Sequence, residues 1–198
     1  MLSAPMEQPE LTLPEAEAAW LRSCYADADV ILEYGSGGST VLASEMPGKT
    51  VFSVESDADW LGRMRLWFEA HPPAARVTLH HGDIGPTTKW GQPVGSKFYR
   101  RYHHYPLSVW DRDDFKHPDV VLIDGRFREA CFYTVMMRAV RPVTVLFDDY
   151  IERDHYHEVE AIVPRAEVRG RMARFEITPQ PVPPERLTRV IAAFADKR

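Results

Sequence analysis

The sequence predicts an α/β fold, a doubly wound and mostly parallel sheet with helices on both faces. Three observations predict it. Five short apolar runs have strand length: Val30–Leu32, Val51–Val54, Val77–Leu79, Val120–Ile123 and Val143–Phe147. Amphipathic stretches lie between most of them, at Thr40–Glu45, Asp57–Ala70 and Arg126–Val140, with Arg153–Val163 after the fifth. In several runs the apolar residues fall on both parities, so both faces of those strands are buried, as in a parallel sheet covered by helices. Strand and helix in alternation give the doubly wound arrangement.

Taken in order, Pro5, Pro9 and Pro14 make the first dozen residues a poor helix, and Pro14 followed by Glu15 reads as a helix start. The first helix runs from about Pro14 to Tyr25. The apolar runs and amphipathic stretches then alternate, with one interruption. Between His81 and Pro118, where a crossover helix is expected, stand Gly82, Gly85, Pro86, Gly91, Pro93 and Gly95. A loop this long in a compact domain is usually functional or mobile. Glu167–Met172 and Arg174–Thr178 are strand-like runs with almost nothing between them, which predicts an antiparallel pair at one sheet edge. A last helix, about Pro184–Asp196, closes the chain. Residues 1–198 read as one domain, with 1–28 an N-terminal extension and helix and 81–118 a long insert or lid.

The 198 residues are 44% hydrophobic, 11% aromatic and 27% charged, enough to bury a core and too apolar for a disordered chain. Twenty-four Lys and Arg against 29 Asp and Glu give a formal charge of −5, so no global basic field favours nucleic acid or an anionic membrane. Cys24 and Cys131 form no CxxC pattern and no disulfide framework, which fits a reducing compartment. Met1–Glu7 has neither a basic nor an apolar segment of the secretory kind. The expectation is a soluble, cytoplasmic protein with no membrane partner.

Between the first strand and the next helix lies Glu33-Tyr34-Gly35-Ser36-Gly37-Gly38-Ser39-Thr40. Glycines at such a turn allow positive φ and close backbone approach, and free N–H groups at the helix start favour negative charge. A bare structural turn is the alternative. Glu33 ends a buried strand, where a carboxylate needs a partner. A pyrophosphate would be repelled by it and a ligand ammonium would pair with it, so Glu33 argues against a dinucleotide and for a cofactor bearing an amino acid. Thr40, where the dinucleotide fingerprint has its third glycine, argues the same way.

Glu55, followed by Ser56, ends the second strand 22 residues after Glu33, close to the spacing at which an acid meets ribose hydroxyls. Its alternative role is a helix N-terminal acid. After the third strand, Asp83 beside Ile84 is placed to accept from an adenine amino group, or is a turn aspartate.

The glycine turn, the acid ending the second strand, the Gly82-Asp83 pair and the Asp124-Gly125 pair together resemble the class I S-adenosylmethionine-dependent methyltransferases, over about residues 28–150. The resemblance implies a Rossmann-like sheet of seven strands with an antiparallel strand near the C-terminus, which suits Glu167–Thr178. It implies that Glu33, Gly35, Ser36, Gly37, Gly38 and Ser39 hold the methionine part of the cofactor. Glu55 with Ser56 would hold the ribose and Asp83 with Ile84 the adenine, and Asp124 would also face the cofactor. Ser39 departs from the pattern, standing where the family often has glycine.

Asp124 ends the fourth strand and Asp148-Asp149 the fifth, so the sheet brings three carboxylates to neighbouring strand ends. They must be protonated, paired or bridged by a metal. Helix-capping aspartates neutralised by Arg126, Arg128 and Arg153 are one reading. A divalent cation such as Mg2+ on Asp124, Asp148 and Asp149 is another, resembling metal-dependent O-methyltransferases of sugars or catechols. A metal-free site with one carboxylate as general base, beside Arg126, is the third. In the long insert, Lys97–Pro106 interleaves basic and aromatic residues between Trp90 and Trp110, suited to closing over a small or carbohydrate-like acceptor or to packing on itself. His155 and His157, two apart, point to different helix faces. The expected function is methyl transfer from S-adenosylmethionine to an acceptor oxygen. The alternative is a cofactor-binding or regulatory protein of the same fold without catalysis.

Overall fold

Successive side chains of a strand point to opposite faces, so the filled parity seen in the sequence builds two cores on one sheet. The computed structural model describes residues 7–197, and residues 1–6 of the expected N-terminal extension lie outside the described residues. The strands are β1 (Val30–Tyr34), β2 (Thr50–Glu55), β3 (Arg76–His81), β4 (Val120–Ile123), β5 (Val143–Phe147), β6 (Glu167–Arg169) and β7 (Met172–Ile177). They form one sheet in the order β3-β2-β1-β4-β5-β7-β6. β1 to β5 are parallel; β7 runs antiparallel to both β5 and β6, so it alone opposes the rest.

The helices are α1 (Glu15–Asp27), α2 (Gly38–Ser44), α3 (Ala58–Ala70), α4 (His104–Leu107), α5 (Arg128–Arg138) and α6 (Leu187–Ala193). On one face Trp20, Leu21 and Tyr25 of α1 pack against Ile31, Val51 and Leu122. On the other, Cys131, Phe132 and Val135 of α5 pack against Leu32, Val121 and Phe147. Each fully buried side chain of this size stabilises the fold by about 1.5–3 kcal/mol. The strand order reverses between β1 and β4, and an open α/β sheet binds ligands beyond its carboxyl edge at such a switch point.

Some expected elements differ. Over Arg153–Val163 the chain makes 3₁₀ turns at Asp154–Ala161 in place of an α-helix. Tyr156 and Val159, three apart, are its buried residues, and a 3₁₀ turn stacks that spacing on one side. α5 begins at Arg128, after the expected start at Arg126, because Phe127 at φ +50° completes a turn first. The last helix divides into a 3₁₀ turn at Pro184–Arg186 and α6. Gly170, at φ +54°, shortens the expected Glu167–Met172 strand by placing a two-residue turn at Gly170-Arg171.

The β3 to β4 connection contains 3₁₀ turns at Lys89–Gly91, Tyr99–Arg101 and Ser108–Asp111 around α4. It occupies the sheet face that a crossover helix would cover. Tyr34 Oη donates to the Pro106 carbonyl at 2.7 Å and accepts from Trp110 Nε1 at 2.8 Å. Phe115 packs on Phe52 with ring centroids 4.9 Å apart. Among the described residues, no helix is long and apolar enough to cross a membrane.

His80 of β3 is a further anchor. Its Nε2 lies 2.7 Å from Ser108 Oγ, whose own proton goes to the His104 carbonyl at 2.5 Å, so the imidazole donates. Burial, then the neighbouring Arg112 and His81 charges, lower His80 to about 4, against a weaker opposite pull from Asp114. The unfolded chain therefore binds a proton that the folded chain refuses, and this contribution to stability is lost as pH falls from about 6.5 toward 4. Melting curves of wild type and His80→Gln across that window should converge toward pH 4, with wild type losing more; parallel curves would show that His80 does not titrate with unfolding.

Candidate active site

The turn after β1 rests on a buried carboxylate. Glu33 is fully buried, and it accepts from Tyr25 Oη at 2.7 Å and from Thr40 Oγ1 at 2.6 Å. Thr40 Oγ1 in turn accepts from Gly37 N at 3.0 Å. Both oxygens of Glu33 are thus held by hydroxyls of the protein, where the sequence suggested a ligand ammonium, and the acid fixes the turn from beneath. Burial raises its pKa, opposed by the hydrogen bonds from Thr40 and Tyr25. Thr40, read as a departure from a dinucleotide motif, is explained by this bond. Gly35 at φ +111° brings the turn against Gly125, where a Cβ would lie 3.0 Å from the Gly125 nitrogen. Ser36 Oγ is 2.7 Å from Ser53 Oγ, and Ser39 is buried at the start of α2. Gly38 is covered by the backbone of Glu10 and Leu11, so the N-terminal segment lies on the turn.

Glu55 is 9% exposed. Its Oε1 accepts from Ser56 N at 2.6 Å and Asp57 N at 2.9 Å, and Oε2 from Ser36 N at 3.4 Å. Burial raises its pKa against these donors. Asp57, not Glu55, caps α3, accepting from Asp59 N and Trp60 N. The helix-start role is filled by another residue. Asp83 accepts from Gly85 N at 2.9 Å and pairs with Arg101, and Ile84 is fully buried.

These cofactor candidates share a cover. Gly91 lies against Glu55, its carbonyl accepting from Ser56 Oγ at 2.9 Å. Arg101 lies on Asp83. Tyr105 packs over Gly82 and Gly125, and its hydroxyl accepts from Arg126 N at 3.3 Å. The residues at the switch point fit S-adenosylmethionine in kind, while residues 91–105 fill the space beside them. Tyr105 belongs to the basic and aromatic strip Lys97–Pro106 read from the sequence, and the fold sets it over Gly82 and Gly125.

Asp124, Asp148 and Asp149 each place a carboxylate oxygen within 4.8 Å of the others. Arg128, only 3% exposed, links them. Its Nη1 donates to the Asp148 carbonyl at 2.5 Å, and its Nη2 lies 3.2 Å from Asp124 Oδ1 and 3.1 Å from Asp149 Oδ2. Arg153 Nη2 donates to Asp149 Oδ2 at 2.7 Å. Arg171, which sequence reasoning missed, takes both oxygens of Asp148. Asp149 sits at φ +55°, a strained backbone held by these three cations. Of the arginines expected to neutralise the acids, Arg128 and Arg153 do so and Arg126 does not. Arg126 Nε is buried with no hydrogen-bond partner among the described residues. With three guanidinium groups among them, the three acids do not fit a metal as they stand. Burial pushes Asp124 up to about 7, Arg128 opposing and Asp148 assisting. His157 Nε2 donates to the Tyr150 carbonyl at 3.1 Å.

The methyltransferase-like protein of Silicibacter pomeroyi is 50% identical to this chain, covering 96% of it and 98% of its own length, with a TM-score of 0.92. The chain belongs to the class I S-adenosylmethionine-dependent methyltransferase superfamily. The fold recurs in the superfamily at low identity. The O-methyltransferase TomG of Streptomyces achromogenes, solved in complex with S-adenosylmethionine, is 14% identical over 86% of this chain and 82% of its own, TM-score 0.61. An O-methyltransferase of Bacillus cereus, in complex with S-adenosylhomocysteine, is 12% identical over 89% and 93%, TM-score 0.58. No protein-family model and no curated protein matches the chain.

Tyr25 tests the foundation of the turn. Tyr25→Phe removes one donor and leaves Glu33 Oε1 buried and unsatisfied, a loss of about 1–3 kcal/mol. For a chain of this length that lowers the melting temperature by roughly 2–4 °C per kcal/mol. An unchanged melting temperature would show that the Glu33 bond is dispensable.

Proposed function

We propose that this protein transfers the methyl group of S-adenosylmethionine to an oxygen of a small or carbohydrate-like acceptor. The observation that carries the reading is the glycine turn Gly35–Gly38 beside Glu55 at the β1/β4 switch point of the superfamily's sheet. In this reading Gly35, Ser36, Gly37, Gly38 and Ser39 cradle the methionine part, supported from below by Glu33. Glu55 and Ser56 take the ribose, and Asp83 and Ile84 the adenine. The cofactor supplies an electrophilic methyl group, so the protein's task is to orient the acceptor and remove its proton. Asp124 is the general base. It is half-buried at the end of β4, and a value near 7 matches a base to neutral conditions. Asp148 and Asp149 position it through Arg128, and Arg126, whose Nε makes no hydrogen bond among the described residues, is the cation beside it for an anionic or hydroxylated acceptor. The two free cysteines suit a reducing cytoplasm.

The packing of residues 91–105 on Glu55, Asp83 and Gly125 favours a second reading, a cofactor-binding protein without turnover. Both readings require this segment to yield when S-adenosylmethionine binds. Under saturating cofactor, amide exchange should rise across residues 88–105, the reverse of the protection that a ligand ordinarily confers. The same cofactor, but not NAD, should raise the melting temperature, since a ligand at 100 times its Kd adds about 2.7 kcal/mol. Glu55→Ala should weaken binding by a factor of roughly 10 to 150, the loss of a charge-assisted hydrogen bond of about 1.5–3 kcal/mol. No thermal shift with cofactor rejects both readings; a shift without labelled methyl transfer to any hydroxylated acceptor leaves the second.

A further inference from the structure

Three carboxylates at one sheet edge need cations, and besides Arg128 and Arg153 the fold supplies one from the turn between β6 and β7. Arg171 lies in the two-residue turn between β6 and β7. Its Nε and Nη2 donate to Asp148 Oδ1 and Oδ2 at 3.0 and 2.9 Å, a bidentate pair, and Nε lies 3.2 Å from Asp149 Oδ1. Asp148 is fully buried, so neither of its oxygens has water as an alternative partner.

The backbone of Arg171 is clamped on both sides. Its nitrogen donates to Glu17 Oε1 at 3.0 Å, and Glu17 belongs to α1 and is buried. Its carbonyl accepts from Tyr150 N at 2.8 Å and Ile151 N at 3.2 Å, just after the acids themselves. Gly170 before it has no room for a Cβ beside Glu17. The guanidinium is therefore positioned as firmly as the carboxylates it meets. A divalent ion needs the same carboxylate lone pairs, at about 2.0–2.6 Å. Arg171 already occupies both oxygens of Asp148 and contacts Asp149, while Arg128 and Arg153 take the remaining near oxygens.

We infer that Arg171 is the resident cation of this site: on Asp148 and Asp149, with Arg128 on Asp124, it holds the place a divalent ion would take, and the site works without metal. Its planar fork matches a carboxylate edge to edge, so it orients Asp148 and Asp149 as well as neutralising them. Arg171 is a positioning residue, acting on the acceptor only through the acids.

The test titrates Mn2+ into wild type, Arg171→Ala and Arg171→Lys, following free Mn2+ by electron paramagnetic resonance. It reads metal binding alone, so it stands apart from the cofactor reading. Wild type and Arg171→Lys, each keeping a cation in place, should bind no Mn2+ at the site. Arg171→Ala should bind one ion, at least about tenfold more tightly than the weakest binding the titration would detect in wild type, and Asp148→Asn in that background should abolish the gain. Should Arg171→Ala fail to fold alone, refolding with Mn2+ and with Na+ takes its place: recovery with Mn2+ only supports the inference, and recovery with neither overturns it. A wild-type site that binds Mn2+ and loses it in Asp148→Asn overturns it, as does a folded Arg171→Ala that binds none.

Discussion

Five carboxylates, Glu33, Glu55, Asp124, Asp148 and Asp149, stand at the carboxyl ends of four adjacent strands, β2, β1, β4 and β5. Glu33, Glu55 and Asp148 are buried. A buried carboxylate without donors costs more than a domain of this size can spare, so each must be met by hydrogen bonds or cations. The surrounding structure can be read as the answer to that demand. α1 contributes Tyr25 to Glu33, and α2 contributes Thr40. The backbone entering α3 contributes two N–H groups to Glu55, and the glycine turn a third. α5 contributes Arg128, and the β6–β7 hairpin contributes Arg171. Elements from one end of the chain to the other converge on a single edge because the charges there leave them no choice.

The β3 to β4 crossover solves a second problem at the same edge. It covers the face of the sheet near β1 and β4 without a long helix, using Tyr102, Tyr105, Val109 and Trp110 as its apolar side. Its polar groups then fall on the acids and glycines of the switch point, with Gly91 on Glu55 and Arg101 on Asp83. Structural cover and ligand crevice therefore use the same surface. The Arg101–Asp83 pair is substantially exposed, and exposed pairs contribute at most about 1 kcal/mol, so parting it costs little.

The two carboxylate clusters divide the chemistry. Those beside the glycine turn are held by neutral donors, hydroxyl and amide. Those at β4 and β5 are held by guanidinium groups that fix their geometry. Among the latter, Asp124 is the most exposed, and Arg128 is its one ion-pair partner, whereas Asp149 meets three guanidinium groups. A methyl transfer in which the cofactor carries the reactive group asks little more of a protein than such positioning.

The doubly wound sheet was legible because apolar runs of strand length on both parities can only be satisfied by burial on two faces, and the glycine turn because Gly35, Gly37 and Gly38 in four residues allow a tight turn. The positions of Glu55, Asp83, Asp124, Asp148 and Asp149 followed from the same reasoning, since the end of a strand is a local property. What their side chains meet is not local. Glu33 was read as waiting for a ligand, but its partners are Tyr25 and Thr40, eight and seven residues away and brought in by helix packing. Arg126 was paired with acids close to it in sequence, whereas the cation they accept in its stead, Arg171, comes from a hairpin beyond β5. Sequence determined where charges and turns are, through rules that act over a few residues. Tertiary structure alone decided which charges neutralise one another, because desolvation and Coulomb attraction depend on distance through space and not along the chain.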